Sequence, residues 1–318
     1  MYTTNTNNYY TFAFYNLENL FDTINNPSTL DDDFTPESDK EWNQKKYTNK
    51  LKKLSRVIAQ IGYDKIKHPP VLIGVAEVEN RKVLEELINT PFLKEKDYAV
   101  VHFESPDERG IDTALLYRKK YITLLKSNKY SLQIKNTNGE RDYTRDILHV
   151  QASLHNQVFN VLVNHWPSRR EGAEITSYKR EAAAQKNREI IDQVKAQDPD
   201  ARFIVMGDFN DDPKSKSLKK LTEELYNPME LLLTKYEGSL NYKGQWNLFD
   251  QILVSTNFLQ QYGNDFRFEN AEIFNKTILK EYSGKYKGNP FRTYVGDKYL
   301  GGYSDHFPVY GIFSIKKQ

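Results

Sequence analysis

Three short apolar runs break directly into acids and amides: VLIGVAEV at 71–78, RFIVMGDFN at 202–210 and FDQILVS at 249–255. Each is shorter than an ordinary helix and rich in Val and Ile, and so reads as a buried strand. Between them lie segments of different period. Leu51, Leu54, Val57, Ile58 and Ile61 recur at helical spacing until Gly62 stops them, and a second helix is expected over 173–195 with Ile175, Tyr178, Ala182, Ile190, Ile191 and Val194 on its apolar side. Further strands are expected at 9–15, 98–103, 111–118 and 147–163, the last turning at His155-Asn156, with a short helix at 80–88 and a final strand at 306–315. Residues 17–42 read as loop, and the Gly- and Tyr-rich stretch 263–303 as a long excursion. Periodicity alone thus gives an α/β or α+β chain. Strands and helices interleave to the end without repeat or linker, so 1–318 is expected to be a single domain.

Composition removes several chemistries. The chain has no Cys, which excludes disulfide scaffolds, Cys-ligated zinc and thiol nucleophiles. Lys+Arg number 45 against 43 Asp+Glu, so a polyanion must be met by a local patch rather than a global field. Neither a signal-like nor a membrane-spanning apolar run is visible, and a cytoplasmic protein is the default expectation, a removed signal leaving no trace.

The polar residues at the strand ends carry the chemistry: Asn16, Glu77, Asp112, His165, Asp208, Asn210, Asp250, Asp305 and His306. Singly, each has a plainer reading. Asn16 is a turn former or helix cap, Glu77 and Glu79 a solvated strand end sharing one face, and Asp208 with Asn210 an Asx-turn. Jointly they supply oxygen ligands, two imidazoles, carboxylates to orient those imidazoles, and amide donors. Such a set suits a hard cation, Mg2+ or Mn2+, and hydrolysis at phosphorus.

In order, NLENLF (16–21), GVAEVEN (74–80), RGIDTALLYR (109–118), NHWPSR (164–169), VMGDFNDDP (205–213), FDQILVS (249–255) and YSDHFPV (303–309) resemble the endonuclease/exonuclease/phosphatase superfamily, the deoxyribonuclease I-like phosphodiesterases. The resemblance implies a four-layer sandwich, two mainly antiparallel β-sheets packed face to face with helices outside. It implies a metal held by Glu77, with Asn16 beside it and Asp305 as a further ligand. His306 oriented by Asp250, Asp208 activating water, Asn210 donating to a phosphate oxygen and His165 near the leaving oxygen complete the implied site. Either Asp208 or His306 is the base. Asp112 is expected to hold His165. The resemblance departs at Ala76, where the family commonly has Gln, and at the adjacent Asn164-His165; the cysteine signature of the inositol 5-phosphatases is absent.

Substrate contacts are expected from Arg145, Asn164 and Trp246, with Arg169, Arg170 and Arg180 as further rim candidates, Arg180 having a structural reading as well because it lies in a helix. The excursion at 274–303 interleaves lysines with tyrosines and reads either as a nucleic-acid contact or as a loop packed on its own aromatics. A nuclease acting on nucleic acid is the leading expectation. The alternatives are a phosphodiesterase or phosphatase for a phospholipid headgroup or small phosphate ester, and a non-catalytic binding module; no obligate protein partner is implied.

Overall fold

Side chains that alternate along the central strands are buried on both faces, which is why those strands read as unbroken apolar runs. The computed structural model describes residues 7–259 and 265–317. Its principal strands are β1 (Asn7–Leu20), β2 (Leu72–Val78), β3 (Tyr98–His102), β4 (Asp112–Arg118), β5 (Ile122–Tyr130), β6 (Ile147–Leu154), β7 (Gln157–His165), β8 (Phe203–Asp208), β9 (Leu225–Tyr226), β10 (Asp250–Ser255), β11 (Phe266–Ile273) and β12 (Val309–Lys316). The helices that cover them are α1 (Gln44–Ile58), α2 (Arg81–Ile88), α3 (Ser177–Lys195) and α4 (Lys216–Thr222).

Two six-stranded sheets result, in the orders β11-β12-β1-β2-β4-β3 and β9-β10-β8-β7-β6-β5. Each has one parallel pairing, β1 with β2 and β7 with β8, and is otherwise antiparallel. Phe12, Phe14, Val161, Val163, Ile204 and Met206 fill the space between the sheets. Ala13, Tyr15, Ile73 and Val75 face outward under Leu51, Leu54 and Val57 of α1 and Leu84 and Leu87 of α2. Leu162, Phe203 and Val205 do the same under Ala183, Ile190 and Ile191 of α3 and Leu218 of α4. The layers are therefore helix, sheet, sheet, helix, as the resemblance implied.

Local signals set several boundaries. The side chains of Asn43 and Asn80 accept backbone N–H groups at the starts of α1 and α2. His155 and Asn156, both at positive φ, turn β6 into β7.

The structure corrects the sequence reading at four places. β1 runs on to Leu20, although 17–42 read as loop. β5 is an edge strand with Leu124 and Leu125 exposed, so it lacks the apolar alternation that announces a strand. β11 lies inside the expected excursion, hidden because a bulge between Phe268 and Asn270 breaks its period; positions 263 and 264 lie outside the described residues. Finally, α3 begins at Ser177, and Ile175, Tyr178 and Ala182 are exposed. Its buried face instead carries Arg180, whose guanidinium pairs with Asp211 at 2.9 Å, so an ion pair overrides apolar periodicity.

Close packing of β8 against β7 depends on Gly207, where a Cβ would stand 2.3 Å from the Asn164 carbonyl oxygen. Gly207→Ala is expected to cost about 3 kcal/mol or more, because the obstacle is backbone that cannot move aside. A urea denaturation midpoint unchanged from wild type would contradict this.

Candidate active site

Register places three of the expected residues level with one another. β10, β8 and β7 are neighbours, and Asp208 pairs with Asp250 on one side and His165 on the other. From the loop before β12, His306 brings Nδ1 within 2.6 Å of the buried Asp250 Oδ2. From the other sheet, Asn16 donates its amide to Asp208 Oδ2 at 3.0 Å, tying the two sheets together at this edge. The other Asp208 oxygen accepts the Asn210 backbone N–H at 2.9 Å. His165 Nε2 then lies 3.7 Å from Asp208 and 3.8 Å from Glu77, and His306 Nε2 lies 4.0 Å from both Asp208 and Asp305.

Glu77 reaches this group through a bulge. The pairing of β2 with β4 slips between Ala76 and Val78, and Glu77 sits there at φ 60°, a conformation rare for a residue with a side chain. Its Oε2 accepts the Asn19 N–H at 2.9 Å, and Arg109 stands 3.8 Å away. Glu79 does not share this face. It accepts the Asp22 N–H instead, and burial pushes its carboxyl up to about 7.

Burial and charge divide the titratable groups into distinct roles. Burial opposes the charged form of His306, yet Asp250 against its Nδ1 carries the imidazole well above its ordinary value, so it stays cationic. Burial, with Asp250 nearby, pushes Asp208 up to about 6 against the pull of His306. His165 goes the other way: burial, then Arg145, Arg109 and His306, hold it well below the usual imidazole range and keep it neutral. Asp305 is kept below the ordinary carboxylate range because His306, Arg292 and Lys50 outweigh its burial.

A sequence profile of the endonuclease/exonuclease/phosphatase family matches residues 11–317. The chain belongs to that family. It is therefore a hydrolase of phosphoester bonds. The fold is likewise similar to solved structures of low identity. A Bacteroides thetaiotaomicron protein of the same family superposes with a TM-score of 0.59 at 15% identity, over 98% of this chain and 100% of that one. A truncated Caenorhabditis elegans TDP2 gives 0.59 at 14%, over 96% and 97%. A Bacteroides thetaiotaomicron mannosyl-6-phosphatase gives 0.57 at 16%, over 95% and 98%. Among curated proteins none matches this sequence.

Enzymes of this family generally depend on a divalent metal, and the donor set fits one. Ligand-capable atoms of Asp208, Asp250 and His306 lie within 4.8 Å of one another, but the 2.6 Å hydrogen bond occupies two of the three and makes them a proton-handling group. Glu77 and Asp305, the remaining carboxylates, offer the hard oxygen ligands that Mg2+ or Mn2+ prefers. Asn16 contributes mainly by holding Asp208, since its Oδ1 already accepts the Glu18 N–H at 2.9 Å.

Five expectations fail for one shared reason, that the side chain already has partners within the protein. Asp112 does not hold His165: its carboxylate is taken by His102 Nε2 at 2.7 Å and by the Ser105 N–H and hydroxyl, while His165 Nδ1 has no hydrogen-bond partner among the described residues. Arg145 is no phosphate rim. It donates to Asp107 and to the carbonyls of His165 and Trp166, so it positions the β7 end. Asn164, fully buried, accepts from Trp166 Nε1 and from the Asn187 amide. Trp246 stacks on Phe307, with centroids 6.0 Å apart. Asn210 spends one amide hydrogen on the Trp166 carbonyl, which leaves the other for a substrate oxygen. Arg169 fastens the Asn210 carbonyl and Asp211 rather than a rim.

Sequence reasoning missed Glu18, Lys50 and Arg109. Glu18 and Lys50 are buried charges 3.5 Å apart, and the one available signal was a Lys on the apolar face of α1.

Proposed function

We propose that the protein is a Mg2+- or Mn2+-dependent phosphodiesterase acting on nucleic acid. The observation that carries this reading is the single connected group formed by Asn16, Asp208, Asp250 and His306, with His165 and Glu77 alongside. Asp208 is the base: its value near 6 suits proton removal at neutral pH, while His306 is already protonated and has no free lone pair to accept with. Water on the Asp208 side gives its proton to that carboxylate as its oxygen attacks phosphorus, the bond to the leaving oxygen breaks, and the alkoxide released takes a proton from solvent. His306 Nε2–H and the Asn210 amide donate to the phosphoryl oxygens, where negative charge accumulates. His165, neutral, donates a hydrogen bond toward phosphate or leaving oxygen rather than serving as a charged acid. Glu77 and Asp305 would hold the metal, which when bound would supply Lewis-acid stabilisation of that same charge.

A polymeric substrate is supported by the likeness to a Danio rerio TDP2 structure with a single-strand DNA product, at a TM-score of 0.57. The mannosyl-6-phosphatase of similar fold keeps a small phosphate ester as the second reading. Nicking of supercoiled plasmid distinguishes them. Wild-type protein with Mg2+ or Mn2+ should convert plasmid to the open form, EDTA should stop it, and Glu77→Gln should demand a much higher metal concentration for half-maximal rate. Plasmid and single-stranded circular DNA both left intact under every metal, with a small phosphate ester hydrolysed, overturn the nuclease reading in favour of the second.

A further inference from the structure

A cleft of about 630 Å3 opens beside the active site, and Arg292 and Asp305 line it where the two meet. One wall is the tip of the hairpin formed by Leu240–Tyr242 and Gln245–Asn247; the other is the chain around 281–290. Both walls are anchored. Trp246 of the hairpin stacks on Phe307 beside His306, and the Phe307 N–H donates to the Ser239 carbonyl at 2.7 Å. On the opposite wall Glu281 and Asn289 are joined by a backbone hydrogen bond of 2.8 Å, and the Gly288 N–H returns to the Glu281 carbonyl.

Each wall presents a lysine over an exposed tyrosine ring: Lys243 lies 5.1 Å from the Tyr242 centroid and Lys285 5.6 Å from that of Tyr286. The rings are 63% and 50% exposed. Glu281 is the only acid facing these cations apart from Asp305 among the described lining residues.

Arg292 is held from beneath. Its Nε donates to Glu18 Oε1 at 3.3 Å and its Nη2 to Asp305 Oδ2 at 3.0 Å. The other Glu18 oxygen accepts the Thr293 N–H at 2.7 Å and lies 3.5 Å from Lys50 Nζ, which is buried and also donates to Thr293 Oγ1 and the Tyr303 carbonyl. One carboxylate is thus shared by two cations. Lys50, Glu18 and Arg292 together carry a net positive charge that Asp305 offsets, and to the extent that Asp305 serves a metal, that charge is left for an anion in the cleft.

We propose that this cleft is a subsite for single-stranded nucleic acid flanking the scissile phosphate, with Arg292, Lys243 and Lys285 meeting phosphates and Tyr242 and Tyr286 stacking bases. The inference rests on the nuclease reading and assigns it a substrate form. A cleft built for one phosphate has no use for two exposed aromatic faces on opposite walls, whereas unpaired bases have π-faces to offer and a duplex keeps them stacked inside.

The test is the binding of a fluorescein-labelled oligodeoxythymidylate, read by anisotropy in calcium across a salt series. Lys243→Ala/Lys285→Ala should weaken binding about tenfold at low salt and flatten the slope of log K against log salt by about 1.4, the loss of two single-strand phosphate contacts. Tyr242→Ala/Tyr286→Ala should weaken it about tenfold with the slope intact. Arg292→Gln should lower kcat/KM for the oligonucleotide more than for bis(p-nitrophenyl) phosphate, which has no flanking phosphate. Unchanged affinity in both double variants, or a wild-type protein that binds duplex as tightly as single strand, overturns the subsite. Wild-type protein that binds the strand through these residues without cutting it refutes the nuclease reading and leaves the subsite standing. Plasmid nicking together with unaltered binding in the double variants refutes the subsite alone.

Discussion

Asp208→Asn protein is expected to lose about 10³-fold in kcat while melting no lower than wild type in the absence of added metal. The two halves of that result come from the same property. Asp208 is 2% exposed, and burial pushes its carboxyl from 3.8 to about 6. A carboxylate whose folded value is raised opposes folding when ionised; the penalty is absent below pH 4, grows between 4 and 6, and above that amounts to about 3 kcal/mol. Asn carries no charge and escapes it. Its Oδ1 still accepts the Asn210 N–H, and the loss is the acceptor facing the Asn16 amide, worth about 1–2 kcal/mol. Thermal melts at pH 4 and pH 7.5, beside plasmid turnover, check both halves. A variant that turns over within tenfold of wild type would remove Asp208 from its role as base.

His306→Ala should abolish turnover and also destabilise the fold by about 3–5 kcal/mol, because it strips the partner from a fully buried charge. Asp250 Oδ1 already has no hydrogen-bond partner among the described residues, so nothing replaces the lost imidazolium. The double variant Asp250→Asn/His306→Gln removes both charges and is expected to regain most of the stability with none of the activity. Urea denaturation of the single and double variants separates the contributions. A double variant as unstable as His306→Ala would mean that the pair is held for its packing rather than its charge.

These two predictions concern residues visible in the sequence, whereas their partnership is a matter of register. Side-chain period is a local property, so VLIGVAEV, RFIVMGDFN and FDQILVS announce buried strands wherever they occur, and α1 and α2 announce themselves by apolar spacing and by Asn43 and Asn80. The kinds of residue standing at the strand ends were equally legible, and so was their order along the chain. What no window of sequence holds is which remote groups share an environment. Asp112 at the start of β4 and Arg145 just before β6 look in the sequence like the residues that gather at the candidate site, yet His102 and Asp107 had already satisfied them.

Local pattern was enough for an α/β or α+β chain, for the inventory of acids, amides and imidazoles, and for the class of chemistry they permit; the layers came only from the family resemblance. Packing of the sheets was needed to set Asp250, Asp208 and His165 level across three strands, to turn Glu77 into their company through a bulge, and to make Arg292 and Lys50 share Glu18. The physical reason is range. Propensity and amphipathic period act over a few residues, whereas hydrogen bonds and desolvated charges join positions such as Asn16 and Asp208, 192 residues apart, and exist only after the sheets have packed.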